Sequence, residues 1–349
     1  VPTYVAFATK GLEDVAAAEL ARILGQPVAR LTIGTKHILF DAADDIATLH
    51  QLTTVDDVGI VLAVPSELDS AEALRHELTK AADFDAALAV VSRLRPIDAT
   101  LGGSFSVTVT AARSPLGSSA EIAAVVGEAV TARLGWQPRE ADRAPIDLRV
   151  FADGASTILA VRLFAGPLSD RSYRRVHVRG ALRPTVAAAM VRLARDDGRP
   201  HRIWDPFCGS GTILAEAALA GHEVYGTELD PAVASAAAEN LSTVDPVLGT
   251  RIVQGDSTSY ATWRDHQDAD TVVANLPWGK QVALNRGSVL YDAVGLGVAR
   301  LHQRGGRAVL LTTEPDRVAG AIRRVAPGLA MQRRRIGLLG QTPTILSVG

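Results

Sequence analysis

The sequence predicts an α/β protein in which two small α+β modules precede a Rossmann-like domain with a mainly parallel sheet. Two observations predict the Rossmann-like part. From residue 202 onward, short apolar runs alternate with segments of helical period. The turn Gly209-Ser210-Gly211 falls between the first run and the first helical segment, where doubly wound sheets bind their ligands. A third observation sets the N-terminal part aside: up to about residue 165 the chain reads as short groups of strand, helix and strand.

In chain order, Tyr4–Ala8 is short and apolar and predicts a strand. Leu12, Val15, Ala16, Leu20 and Ile23 recur at helical spacing until Gly25 ends the helix, and Leu31–Phe40 predicts a hairpin around Gly34. This βαβ-type start predicts a ferredoxin-like module over residues 1–60. A second module, residues 61–165, holds the alternating strand Phe105–Thr110, an alanine-rich helix Ser119–Leu134, and strands at Asp147–Ala152 and Thr157–Leu163 joined by the turn Asp153-Gly154. Residues 166–184 read as an arginine-rich connector punctuated by glycine and proline. In residues 185–349 a helix from Thr185 leads into strands at Arg202–Asp205, Glu223–Glu228, Arg251–Gln254, Thr271–Asn275 and Arg307–Thr313. Helices are expected between and after them at Thr212–Ala220, Pro231–Leu241, Val289–Gln303 and Asp316–Val325.

Composition narrows the function classes. At 349 residues the chain accommodates two or three domains, and 47% hydrophobic residues is ordinary for a globular protein. No run of about eighteen apolar residues predicts a membrane helix. Val1–Lys10 lacks the basic-then-apolar pattern of a secretory signal, so a cytoplasmic protein is expected. The lone Cys208 excludes an internal disulfide framework, and the scattered His37, His50 and His76 predict no metal site. Net charge is −2, but the charges are segregated. Asp41–Asp85 carries eleven acids against Arg75 and Lys80, whereas Ala165–Arg202 and Arg300–Gly349 carry nine arginines each and few acids. Local field rather than total charge attracts a polyanion, so these basic segments form a candidate phosphate-binding face. Solvated helix faces explain the same arginines about equally well.

The most informative run is Asp205-Pro-Phe-Cys-Gly209-Ser-Gly211-Thr212. Two glycines at a helix N-terminus let a ligand approach the backbone closely. A pyrophosphate fits poorly, because Asp205 repels it and Leu214 stands where the dinucleotide pattern wants a small residue. S-adenosylmethionine, which carries a sulfonium and an ammonium, suits an acid at this place. Glu228, at the end of the second strand, can accept both ribose hydroxyls. Asp230 reads as the N-cap of the helix starting at Pro231, and Asp256 after the third strand can accept the adenine amine. Phe207, Thr212, Leu229, Ser257 and Asn275 complete the expected cofactor contacts.

After the fourth strand stands Asn275-Leu276-Pro277-Trp278. The lone pair of an aromatic amine is delocalised, so the nitrogen needs help as a nucleophile. The Asn275 side-chain carbonyl and the Leu276 backbone carbonyl can accept its two N–H bonds and stabilise the positive charge that develops. Pro277 fixes the loop, and Trp278 offers a face on which an extruded base can stack. No general base is evident.

Together these residues resemble the THUMP-domain methyltransferases, a family that includes tRNA guanine-N2 methyltransferases. Phe7-Ala-Thr-Lys-Gly-Leu-Glu-Asp with Glu19-Leu resembles the start of its ferredoxin-like domain. Phe105–Thr110, the Ser119 helix, Asp147-Leu-Arg-Val and Leu163-Phe-Ala-Gly-Pro-Leu resemble its THUMP module, and Ser172-Tyr-Arg-Arg with Leu182-Arg-Pro-Thr its lead into the catalytic domain. Asp205–Thr212 matches the cofactor loop, Cys208 included, and Asn275-Leu-Pro-Trp is similar to an Asn/Asp-Pro-Pro-aromatic motif, with Leu276 in place of the proline.

The resemblance implies a THUMP module gripping the acceptor end of tRNA, with shape and phosphate recognition dominant. Arg171, Arg174, Arg175, Lys280, Arg333 and Arg334 are the candidate RNA contacts. Guanine-N2 methylation of ribosomal RNA uses the same chemistry and is the nearest alternative. Adenine-N6 methylation, a small-molecule acceptor and an RNA-binding protein without catalysis stand further off. With no heptad seam in the sequence, a monomer is expected.

Overall fold

The computed structural model describes the chain except residues 44–45, 66–67, 82, 98–102, 112–113, 142, 154–155 and 278–286. It divides into two compact units. One consists of Val1–Phe7 and Ala17–Leu168, the other of Ala8–Ala16 and Ser169–Gly349. Among the described residues, no helix is long and apolar enough to cross a membrane.

The first unit contains strands β1 (Thr3–Ala8), β2 (Thr32–Gly34), β3 (His37–Asp41), β4 (Val55–Ala63), β5 (Ser104–Ala111), β6 (Gln137–Pro138), β7 (Ile146–Ala152) and β8 (Thr157–Arg162). They form one sheet in the order β2-β3-β1-β4-β8-β7-β5-β6. Helix α1 (Glu13–Leu24) follows β1, α2 (Ala71–Ala81) and α3 (Phe84–Leu94) follow β4, and α4 (Ser119–Leu134) follows β5. The α4 boundaries follow from local chemistry. Ser118 and Glu121 form a reciprocal capping box at its start, and Gly135, left-handed at φ 67°, stops it.

The expected division at residue 60 falls inside β4, a strand that the sequence reading did not identify. Asp56 and Asp57 interrupt its apolar pattern, yet Asp57 is buried. Its carboxylate accepts a bond from Arg162 Nε at 2.7 Å, with Arg149 Nε 3.6 Å away. A charge neutralised by a neighbouring strand looks, in the sequence, like a surface residue. The expected turn at Asp153-Gly154 lies partly outside the described residues.

The second unit is the alternating part. After α5 (Pro184–Ala194) come β9 (Arg202–Asp205), α6 (Thr212–Leu219), β10 (Glu223–Glu228), α7 (Pro231–Val244), β11 (Ile252–Gln254) and α8 (Tyr260–Asp265). Strand β12 (Thr271–Asn275), α9 (Gly287–Gln303), β13 (Arg307–Thr312), α10 (Pro315–Val325), β14 (Met331–Arg335) and β15 (Thr344–Val348) complete it. The sheet order is β11-β10-β9-β12-β13-β15-β14, parallel from β11 to β13 and antiparallel beyond. One core cluster joins α5, α6 and α7 to the sheet around Ile203, Val273 and Val309; the other joins α8, α9 and α10 around Trp204, Val272 and Leu310. The sheet is thereby covered on both faces, as the alternation predicts. The final hairpin was not foreseen, because β14 reads Met-Gln-Arg-Arg-Arg and is an exposed edge strand rather than an apolar run.

Residues Ala8–Ala16 belong to this second unit although they lie at the N-terminal end of the sequence. Leu12 joins its core. Gly337 N–H donates to the Lys10 carbonyl at 2.8 Å, and Arg334 donates to the Gly11 carbonyl and bidentately to the Asp14 carboxylate. Arg334, expected among the RNA contacts, thereby ties this loop to β14 while its side chain stays one third exposed. Gly11 sits at φ 88°, and a Cβ there would stand 2.2 Å from the Arg335 carbonyl oxygen. We expect Gly11→Ala to destabilise the protein by about 2 kcal/mol, read as a lower midpoint in urea denaturation.

Candidate active site

The turn after β9 is built before any ligand is considered. Gly211 N–H donates to the Cys208 carbonyl at 2.8 Å, and Cys208 N–H donates to Thr227 on the neighbouring strand at 3.0 Å. Gly211 is left-handed at φ 81°, and a Cβ there would meet Leu241 Cδ1 at 2.3 Å. Gly209, at φ 52°, has open space where its Cβ would point. The two glycines thus serve different ends: Gly211 lets α6 close against α7, and Gly209 leaves room on the open side of the turn.

That open side faces a cavity of about 560 Å³ at the carboxyl ends of β9, β10, β11 and β12, a size typical of small-molecule sites. Of the expected cofactor residues, Asp205, Phe207, Gly209, Thr212, Glu228, Leu229, Asp256, Ser257 and Asn275 line it. Gly211 is the exception and works behind the wall. Asp205 is 1% exposed and accepts the Phe207 N–H at 3.0 Å. Burial pushes its carboxyl up to about 8, against the Phe207 bond and with help from the charge of Glu228. Glu228 accepts Gly209 N–H on one oxygen and Asp230 N–H on the other, both at 3.0 Å. Asp230 caps α7 through Ala232 and Val233, as expected, and also lines the cavity.

Asp256 accepts from both the N–H and the hydroxyl of Thr258. Beside it the Ser257 hydroxyl is buried and has no hydrogen-bond partner among the described residues. Burial, then the charges of Asp205 and Glu228, raise the Cys208 thiol well above its ordinary value. Cys208 is a small, neutral packing residue, not a nucleophile.

Asn275 ends β12, is half-buried and lines the cavity with Pro277. Leu276 is fully buried and donates its N–H to the Leu311 carbonyl at 3.0 Å, so anything it offers the cavity comes from its main chain. Trp278 and Lys280 lie outside the described residues.

The sequence reading missed one wall. Val178–Leu182, expected to be connector, line the cavity, and the segment before them is fixed by two buried polar groups. Glu216 on α6 accepts Arg171 Nε at 2.9 Å and the Tyr173 hydroxyl at 2.7 Å. Burial and the adjoining Glu216 carboxylate push the Tyr173 phenol far up, so it remains a neutral donor. Asn240 on α7 accepts Val176 N–H at 2.9 Å and donates to the carbonyls of Val176 and Ser210. One side chain thus ties together α7, the connector and the cofactor turn.

Arg171, expected among the RNA contacts, is held in this ion pair with its side chain 12% exposed. Arg174 is half-buried and Arg175 exposed, while Arg333 pairs with Asp316 at 2.7 Å on the surface. A polar residue inside a helical pattern, as Glu216 and Asn240 both are, was the available signal.

Residues 171–342 match the family described as UPF0020, RMKL-like, methyltransferase domain. The tRNA (guanine(6)-N2)-methyltransferase of Thermus thermophilus is 33% identical over 244 residues, 67% of this chain and 68% of that protein. The U6 snRNA guanine-N2-methyltransferase of Mus musculus is 27% identical over 56% of this chain and 35% of its own length. The crystal structure of TrmN from Thermus thermophilus superposes with a TM-score of 0.77 at 27% identity, covering 100% of this chain and 99% of that one.

Asn240→Ala would leave Val176 N–H and the Ser210 carbonyl without their buried partner. We expect a loss of about 2 kcal/mol in stability and about tenfold weaker cofactor binding, measured by denaturation and by calorimetry.

Proposed function

We propose that this chain, which belongs to the RMKL-like methyltransferase family, methylates the exocyclic N2 amine of a guanine in tRNA, in the acceptor-stem region. S-adenosylmethionine is the methyl donor. What carries the reading is a single cavity that unites the carboxyl groups of Asp205, Glu228, Asp230 and Asp256 with Asn275.

The residues suit the donor. A carboxyl held near 8 by burial is mostly protonated at neutral pH, and a cation beside it favours the ionised form. The orphaned Ser257 hydroxyl and the open side of Gly209 are a polar partner and a space that a ligand would fill. Asp205 would face the donor's cationic methionine part, Glu228 the ribose hydroxyls, and Asp256 and Ser257 the adenine. When bound, S-adenosylmethionine supplies a methyl carbon on a positively charged sulfur, an electrophile that needs no acid catalyst.

The acceptor side is the work of Asn275-Leu-Pro. The Asn275 carbonyl oxygen accepts one N–H of the guanine amine and the main-chain carbonyl of Leu276 the other, which aims the nitrogen and stabilises its growing positive charge. Orientation supplies most of the rate, and the proton leaves to solvent once the nitrogen has become acidic. Residues 61–165 act as the THUMP module that holds the RNA, with Arg174 and Arg175 of the connector as phosphate contacts. The tRNA reading rests on the 33% identity to the Thermus thermophilus enzyme over two thirds of each chain.

The experiment is transfer of labelled methyl to tRNA followed by nucleoside analysis. Label should appear as N2-methylguanosine, and Asn275→Ala should lower the rate by about a thousandfold with cofactor affinity nearly unchanged. Label found only in ribosomal RNA, or in another nucleoside, would overturn the assignment.

A second expectation concerns protons. At pH 7 the Asp205 carboxyl, held near 8, carries its proton in the free protein, and a bound cation favours its loss. Cofactor binding should therefore release up to about one proton at pH 7 and tighten from pH 6 to 8. Calorimetry in buffers of different ionisation enthalpy measures this, and in Asp205→Asn the release should vanish.

A further inference from the structure

The hairpin between β14 and β15 ends in a conformation that its sequence does not favour. Leu338 and Gln341 exchange both backbone hydrogen bonds, at 3.0 and 2.9 Å, which leaves a two-residue tip of Leu339 and Gly340. Both tip residues have positive φ, 49° at Leu339 and 76° at Gly340. Such a turn wants asparagine or glycine at its first position, and leucine there is strained. The tip is nevertheless held firmly. Ile336 and Leu338 on the rising limb are buried, Ile336 N–H donates to the Pro343 carbonyl, and Gly337 N–H donates to Lys10.

Leu339 itself is 81% exposed. Its side chain therefore returns nothing to the fold, while its backbone costs strain and its apolar surface sits in water. Strain kept by a rigid surround is a mark of function when it presents a side chain outward.

The strand registers say where it is presented. Arg335 on β14 stands opposite Thr344 on β15, Thr344 opposite Thr312 on β13, and Leu311 opposite Asn275 on β12. The hairpin thus rises from the same end of the sheet as Asn275, its base about 12 Å from Asn275 across the strands at the usual strand spacing and its tip four residues further out. Arg335, exposed at the base of the hairpin, offers a cation for a phosphate beside it.

We propose that Leu339 is an apolar wedge that enters the base stack of the RNA stem as the target guanine leaves it. The proposal rests on the guanine-N2 reading above and on the target lying in a stem. A guanine paired within a duplex cannot present its N2 to Asn275 without leaving the stack, and an apolar side chain in the vacated space offsets the lost stacking. An RNA stem is favoured over a protein partner because the tip is a single exposed leucine, with the exposed Arg335 at the base of its hairpin, rather than an apolar patch.

The test uses two tRNAs: one with the mapped guanine paired to cytosine, and one with an abasic site opposite it. In Leu339→Asn, which accommodates positive φ, the unfolding midpoint should stay or rise, and cofactor affinity should be unchanged. Methylation of the paired guanine should fall about tenfold, and that of the guanine opposite the abasic site should fall less than about twofold. Leu339→Met, which keeps the apolar volume, should retain activity on both RNAs. Full activity of Leu339→Asn on the paired guanine, or an equal loss on both RNAs, would overturn the wedge. If the unaltered enzyme leaves no N2-methylguanosine in either RNA, the guanine reading itself fails and the wedge falls with it, a result seen before any variant is compared.

Discussion

A carboxylate buried at the end of the first parallel strand is the constraint around which the second unit is arranged. Asp205 has almost no contact with solvent, and Glu228 stands near enough to add its field. Burial, and then the neighbouring Glu228 charge, hold the Asp205 carboxyl against ionisation. The protein answers with backbone: Phe207, Gly209 and Asp230 each direct an N–H at one or other carboxylate. What remains is a cavity wall that favours a cation and disfavours phosphate, which separates this glycine turn from the nucleotide-binding turns it resembles in outline.

The rest of the site is secured by polar groups hidden in the core. Glu216 and Asn240 sit on the two helices that flank the cofactor turn, and both reach out to the segment before α5. Buried polar side chains stabilise little by themselves, but they fix geometry, because each has one good arrangement and many poor ones. Their effect here is to turn what would be a loose connector into a wall of the pocket.

Legibility in the sequence followed the same division. Strands β9, β10, β12 and β13 and the helices between them could be read because apolar period and turn chemistry agree there, and the cofactor residues could be read because their order along parallel strands has a chemical logic. Three features resisted. Strand β4 hides its character because Asp57 is neutralised by Arg162, a residue 105 positions away. Strand β14 is an edge strand made of arginines. Arg171 and Arg334 looked like surface cations, but their carboxylate partners are 45 and 320 positions distant. Charge is the property whose meaning depends most on what the fold brings beside it, and a sequence does not display that.

The placement of Ala8–Ala16 within the catalytic unit has a consequence for how the chain acquires its structure. The loop at Gly11 is made early in synthesis, yet its partners at Arg334 and Gly337 emerge more than three hundred residues later. Closing so long a loop is entropically costly and comes late. The first unit can assemble on the ribosome while this loop waits, and the catalytic unit is completed only when the last hairpin arrives. Premature termination anywhere before that hairpin would strip Leu12 of part of its cover and leave the sheet without its outer strands. Incomplete chains would thus be marked for removal by an exposed apolar contact rather than persist as partly active enzyme.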